Sequence, residues 1–66
     1  MIVFVNSRPQ ETADGATLAG LLESLGFERQ RVAVEVNGEL VTRNDWAQYK
    51  LKDGDRLEVV SFVGGG

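Results

Sequence analysis

Apolar and polar positions change period several times along this chain, and each change marks an element. Ile2-Val3-Phe4-Val5 is a β-branched and aromatic run that ends at Asn6-Ser7-Arg8-Pro9, where three residues favour turns. It reads as a first strand entering a hairpin, with the more polar Gln10-Glu11-Thr12 as the return strand at an edge. Asp14-Gly15 breaks the chain. Leu18, Leu21, Leu22 and Leu25 then fall at i, i+3, i+4 and i+7, one stripe of an α-helix, with Thr17 placed to cap its start. Gly26 stands where a helix stop needs a left-handed residue, and Phe27 is placed to fold back on Leu22 in a Schellman motif. At ~1.5 to 3 kcal/mol each, the four leucines contribute about 6 to 12 kcal/mol before entropy is charged.

Val32-Ala33-Val34-Glu35-Val36 alternates with the period of a strand, and Asn37-Gly38 is a type I′ hairpin turn leading into a short strand at Glu39-Leu40-Val41. Thr42 to Tyr49 has cap residues followed by Trp46 and Tyr49, which predicts a single helical turn or a structured loop. Trp46 is expected to cover one end of the core. Lys52-Asp53-Gly54-Asp55 is a turn, and Arg56 to Val63 is the final strand. With Leu57 and Val59 facing the helix, the pleat turns Glu58, Val60 and Phe62 to the opposite face. Two readings stay open there: Val60 and Phe62 form an exposed apolar spot for docking a partner, or a twisted strand end tucks Phe62 into the core rim.

This order predicts an α+β fold, in which a mixed sheet of four to five strands packs on one main helix and the apolar first and last strands lie side by side at its centre. That arrangement is the β-grasp, or ubiquitin-like, architecture. Residues 1–63 form the domain, and 64–66 a flexible glycine tail.

Composition narrows the chemistry. With 66 residues there is one domain, which buries only about 60 % of its unfolded surface. The sequence has no cysteine and no histidine, so thiolate nucleophiles, disulfides, the usual transition-metal sites and the commonest general base are excluded, and no metal site is expected. Ser7, Ser24 and Ser61 have no histidine to activate them, and Lys50 and Lys52 lie in a polar loop without desolvation. Asp53 and Asp55 flank a turn glycine and fall short of a calcium shell. Ten acidic and seven basic side chains give a net charge of −3 without a Lys/Arg cluster, which argues against nucleic acid. The apolar runs are far shorter than the ~20 residues of a membrane span. Met1 leads straight into Ile2-Val3-Phe4-Val5 without the layout of a secretory signal, so a cytoplasmic protein is expected.

The chemistry left is that of the chain end, Val63-Gly64-Gly65-Gly66. The alternative for such a tail is a frayed terminus. Three glycines reach about 10 Å beyond Val63, at ~3.3 to 3.6 Å per residue, enough to enter a narrow cleft while the folded body stays outside. A carboxylate resists nucleophiles because its charge repels them and oxide is not a viable leaving group. Adenylation by ATP repairs both faults.

The β-grasp order, the Asp53-Gly54-Asp55 turn, the apolar last strand, Val41-Thr42-Arg43 followed by Trp46-Ala47-Gln48, and the ending Val63-Gly64-Gly65-Gly66 together resemble the ThiS family, sulfur carriers of thiamine biosynthesis. The resemblance covers the whole chain. It implies a carrier, not an enzyme, which binds no cofactor itself. Gly66 would bear an acyl adenylate and then a thiocarboxylate, and Gly65 would complete the recognised pair, with Gly64 outside the minimal motif. The implied partners are a ubiquitin-activating-like adenylyltransferase that uses ATP, a cysteine desulfurase or related sulfur donor, and thiazole synthase. Alternatives are the small subunit of molybdopterin synthase, whose chains tend to be longer with proline near the tail, whereas Pro9 is the only proline here; a protein modifier joined through Gly66 to lysines; and a β-grasp binding module without terminal chemistry.

Overall fold

The computed structural model describes residues 1–62. Its first hairpin turns earlier than the proline suggests. Strand β1 (Ile2–Val5) ends at Asn6 and Ser7, with φ of 50° and 72°, and β2 (Arg8–Glu11) begins at once. Positive φ at both central positions is what a two-residue I′ turn requires. The return strand is therefore Arg8–Glu11 and not Gln10–Thr12. Pro9 lies within it, opposite Phe4, which is tolerated because β2 is an edge strand and needs no outward donor there.

Helix α1 (Leu18–Ser24) starts and stops as its sequence dictates. The Thr17 hydroxyl accepts the Gly20 N–H at 3.1 Å. Gly26 takes φ +84°, its N–H bonds to the Glu23 carbonyl at 3.0 Å, and the Phe27 N–H bonds to the Leu22 carbonyl at 3.0 Å, the two bonds of a Schellman stop. Leu18, Leu21 and Leu22 are buried; Leu25, at the C-cap, is half-buried against the core.

Strands β3 (Val32–Val36) and β4 (Glu39–Val41) form the second hairpin around Asn37 and Gly38, with φ of 53° and 85°. The last strand, β5 (Arg56–Ser61), stops short of the expected Val63: after Ser61 the Phe62 N–H bonds to the Arg31 carbonyl at 2.6 Å, and Val63 lies outside the described residues. The five strands take the order β2-β1-β5-β3-β4. β1 and β5 are parallel, and the other neighbours antiparallel. This is the β-grasp fold, with β5 at the centre beside β1.

The core lies between α1 and one sheet face, where Val3, Val34, Val36, Leu57 and Val59 meet the helix leucines. Trp46, 1 % exposed, closes one end, and its indole N–H donates to the Val41 carbonyl at 2.8 Å. The expected turn before it is a single 3₁₀ turn, Arg43–Asp45. The carbonyls of Trp46 and Tyr49 accept the N–H groups of Ala19 and Leu18 at 3.1 and 2.8 Å. That loop thereby satisfies donors that the first turn of a helix always leaves free.

Candidate functional site

The site read from the sequence has two parts, the glycine end and the sheet face beside it. Val63, Gly64, Gly65 and Gly66 lie outside the described residues, so the structure defines the platform from which they extend. That platform is the C-terminal end of β5, held between two neighbours.

On one side, β5 runs parallel to β1, with the Asn6 N–H bonding to the Leu57 carbonyl at 2.9 Å. The Asn6 side chain continues this ladder where β1 has ended. Its Oδ1 accepts the Val59 N–H at 2.8 Å, and its Nδ2 donates to the Val59 carbonyl at 3.2 Å. One carboxamide thus stands in for a whole backbone rung. On the other side β3 pairs with β5 from Val36–Leu57 to Val32–Ser61.

The start of β5 is fixed by a second asparagine. The Asn37 N–H bonds to the Arg56 carbonyl at 2.7 Å, its Oδ1 accepts the Arg56 N–H at 3.0 Å, and its Nδ2 donates to Asp55 Oδ1 at 3.0 Å. Asp55, 5 % exposed, also accepts the Lys52 N–H on Oδ2 at 2.7 Å. Asp53 accepts the Ile2 N–H at 2.8 Å. Both carboxylates of the Asp53-Gly54-Asp55 turn are therefore engaged as hydrogen-bond acceptors for neighbouring backbone and side-chain groups. Among the described residues no cluster of three or more His, Cys, Asp or Glu is placed to hold a metal ion. The Ser24 hydroxyl donates to the Leu21 carbonyl at 2.7 Å, an ordinary helix back-bond.

The open face of the sheet, opposite α1, carries the candidate docking residues. Val60 is 57 % exposed and Phe62 is 53 % exposed, so Phe62 stands at the surface and is not tucked into the core. Sequence reasoning missed their neighbours. Ala33 pairs with Val60 across β3–β5, and Leu40, 65 % exposed, sits opposite Glu35 across the β3–β4 hairpin. A shallow hollow of ≈ 200 Å³ follows this edge, lined by Ala33, Leu40, Val41, Trp46 and Phe62 among others. The signal for Leu40 was present in the sequence. A two-residue turn at Asn37-Gly38 sets Val36 opposite Glu39 and Glu35 opposite Leu40, which puts Leu40 on the face of Glu35.

Glu35 and Glu58 are themselves a cross-strand pair on this face, and both are exposed. Further along β5, the Arg56 guanidinium lies 4.8 Å from the centre of the Phe4 ring, on the β1 side. What this arrangement offers is a central strand, paired on both sides, that ends beside an apolar and acidic surface. It holds no nucleophile–base pair among the described residues.

Comparison with known proteins agrees with this geometry. A model of the ThiS family matches residues 3–66. The chain is 32 % identical over 66 residues to the sulfur carrier protein ThiS of Escherichia coli, covering all of both proteins. The crystal structure of thiamine biosynthesis protein ThiS from Geobacter metallireducens superposes with a TM-score of 0.84 at 35 % identity, covering all of both chains. The chain is also 42 % identical over its full 66 residues to a thiazole synthase of Magnetococcus marinus, and there it spans only 20 % of that protein's length.

Proposed function

The chain belongs to the ThiS family, and on that premise we propose that it carries sulfur on its C-terminal glycine for synthesis of the thiamine thiazole. The observation that carries this reading is the full-length match to a sulfur carrier of the same size, with a glycine end that follows directly on the central strand. The chain acts as a substrate that its partners modify.

In this reading the Gly66 carboxylate attacks the α-phosphorus of ATP on a ubiquitin-activating-like adenylyltransferase, releasing pyrophosphate and leaving an acyl adenylate. The terminal sulfur of a persulfide, supplied by a cysteine desulfurase or related donor, attacks the acyl carbon, and AMP departs. A thiol then cleaves the remaining S–S bond, which frees the thiocarboxylate. Gly65 and Gly64 keep the tail free of side chains so that the chain end enters the activating cleft extended. The M. marinus relative, which joins a region like this chain to the rest of a thiazole synthase, supports thiazole synthase as the recipient of the sulfur. The setting is cytoplasmic. Among the described residues no helix is long and apolar enough to cross a membrane.

The test is the intact mass of the chain after incubation with ATP, its adenylyltransferase, a desulfurase and cysteine. A species heavier by the difference between sulfur and oxygen, located on Gly66, is the expected result, and deletion of Gly66 removes it. Complete reaction mixtures that never yield that species would overturn the proposal. Conjugates of higher mass in its place would identify a protein modifier. Rescue of a thiazole auxotroph separates this role from one in molybdenum cofactor synthesis.

A further inference from the structure

Asn37 does more than its turn requires. A two-residue I′ turn selects asparagine and glycine for positive φ, here 53° and 85°. The Asn37 carboxamide is engaged as well: Oδ1 accepts the Arg56 N–H at 3.0 Å, and Nδ2 donates to Asp55 Oδ1 at 3.0 Å. Asp55 is 5 % exposed, and its other oxygen is taken by the Lys52 N–H at 2.7 Å. Among the described residues no cation lies within ion-pair distance of Asp55. The Asn37 amide is therefore the side-chain donor that this nearly buried carboxylate depends on.

The same two residues form an asparagine–glycine sequence, the one most open to deamidation. The Gly38 nitrogen, giving up its proton, attacks Asn37 Cγ, and the Cγ–Nδ2 bond breaks as Nδ2 takes up a proton and leaves as ammonia. Glycine permits this because no side chain shields its nitrogen, whereas Asn6 and Asn44 are followed by Ser7 and Asp45. Water then opens the succinimide. Addition at Cγ yields aspartate in an unaltered backbone; addition at the main-chain carbon yields isoaspartate, whose backbone runs through Cγ and is longer by a methylene. Water enters, ammonia leaves, and nothing is oxidised or reduced.

Exclusion of solvent does not protect this site. Asn37 and Gly38 are exposed, and nothing lies within 4 Å of where a Cβ on Gly38 would stand. The hydrogen bonds protect it instead. Cγ becomes free to meet the Gly38 nitrogen only when the carboxamide swings off Arg56 and Asp55, which strips the carboxylate of its donor. The product does not fit back. A carboxylate at position 37 sets an acceptor where Nδ2 had donated, so that two negative charges meet beside Asp55 Oδ1. Isoaspartate adds backbone to a turn that sets Val36 opposite Glu39, and the register of the hairpin is lost.

We propose that Asn37-Gly38 is a fold-gated deamidation site: in the closed hairpin the contacts with Asp55 and Arg56 hold the carboxamide out of reach, and in an opened chain the reaction runs and leaves a carboxylate that obstructs closure at the start of β5. Local opening belongs to the native equilibrium of a small domain, so the site is a one-way mark on chains that have spent time open. The inference stands apart from the carrier reading, since it draws only on the folded body.

The experiment follows the full chain by peptide mapping with mass spectrometry during incubation at mildly alkaline pH, folded and in urea above its unfolding midpoint. Deamidation shows as a peptide heavier by the difference between a hydroxyl and an amino group, in two chromatographic forms. Asn37 reacts at least about tenfold faster in urea, where closure no longer competes, and faster there than Asn6 or Asn44. Equal rates in the folded and unfolded chain refute the gating. Reaction in urea that is no faster at Asn37 than at the other two asparagines refutes the choice of site. The consequence is read from variants. Asn37→Asp, which makes the aspartate product directly, lowers the thermal midpoint by about 4 to 8 °C. Adding Asp55→Asn recovers most of that loss, because amide and carboxylate then exchange places and the bond between the two positions is restored with its direction reversed. A wild-type midpoint in Asn37→Asp, or no recovery in the double variant, overturns the conflict of carboxylates and the one-way mark with it.

Discussion

Asn6 and Asn37 have matching roles on opposite sides of β5, Asn6 midway along it and Asn37 at its start. Each takes a positive φ in a hairpin turn, and each uses its carboxamide to pair with a β5 residue, Val59 in one case and Arg56 in the other. The two contributions can be separated by substitution. Asn6→Gly keeps the freedom to adopt positive φ and deletes the amide, so it loses the Val59 bonds alone and costs about 1 to 2 kcal/mol. Asn6→Ala adds the strain of a Cβ at positive φ, roughly 1 kcal/mol more. Urea unfolding of both variants checks the order, and the glycine variant must be the more stable. Trp46→Phe preserves most of the buried ring but leaves the Val41 carbonyl without its 2.8 Å donor, for an expected loss of about 1 to 3 kcal/mol in the same measurement.

At the scale of elements, α1 carries much of the stability. Leu22 is buried at its centre, and Leu22→Ala should cost about 2 to 5 kcal/mol, read as a large drop in thermal midpoint for so short a chain. Its ends were legible from the residues because every determinant is local: Thr17 three residues before Gly20, and Gly26-Phe27 one turn past Leu22. The Asn37-Gly38 hairpin was legible for the same reason. The first hairpin was misjudged at its turn, since Pro9 reads as turn chemistry unless the strand is known to lie at an edge, and edge status follows from the assembled sheet. The acidic pair on the open face was illegible on similar grounds. Glu35 and Glu58 are 23 positions apart, and only the β3–β5 register brings them together. Alternation along a single strand assigns Val60 to the outer face and leaves Phe62 open between the surface and the core rim, and a three-residue β4 has too little alternation to place Leu40 without the hairpin register.

For the whole molecule, the carrier reading proposed above predicts that the body and the glycine end respond separately to mutation. Gly65→Val should abolish formation of the thiocarboxylate while leaving the unfolding midpoint within error of the wild type, because the sheet and core are built from residues 2–61; mass spectrometry and calorimetry on one preparation decide it. The central place of β5 has a mechanical consequence as well. A pull on the glycine end runs along β5, which is bonded to β1 on one side and β3 on the other, with β1 parallel to it. Traction between Met1 and the far end of β5 therefore loads the β1–β5 ladder in shear, so that its backbone bonds and the two Asn6 carboxamide bonds must give way together where a hairpin edge would unzip one rung at a time. In the carrier reading proposed above, an enzyme that draws the last residues into its cleft can tug on the chain without unravelling it.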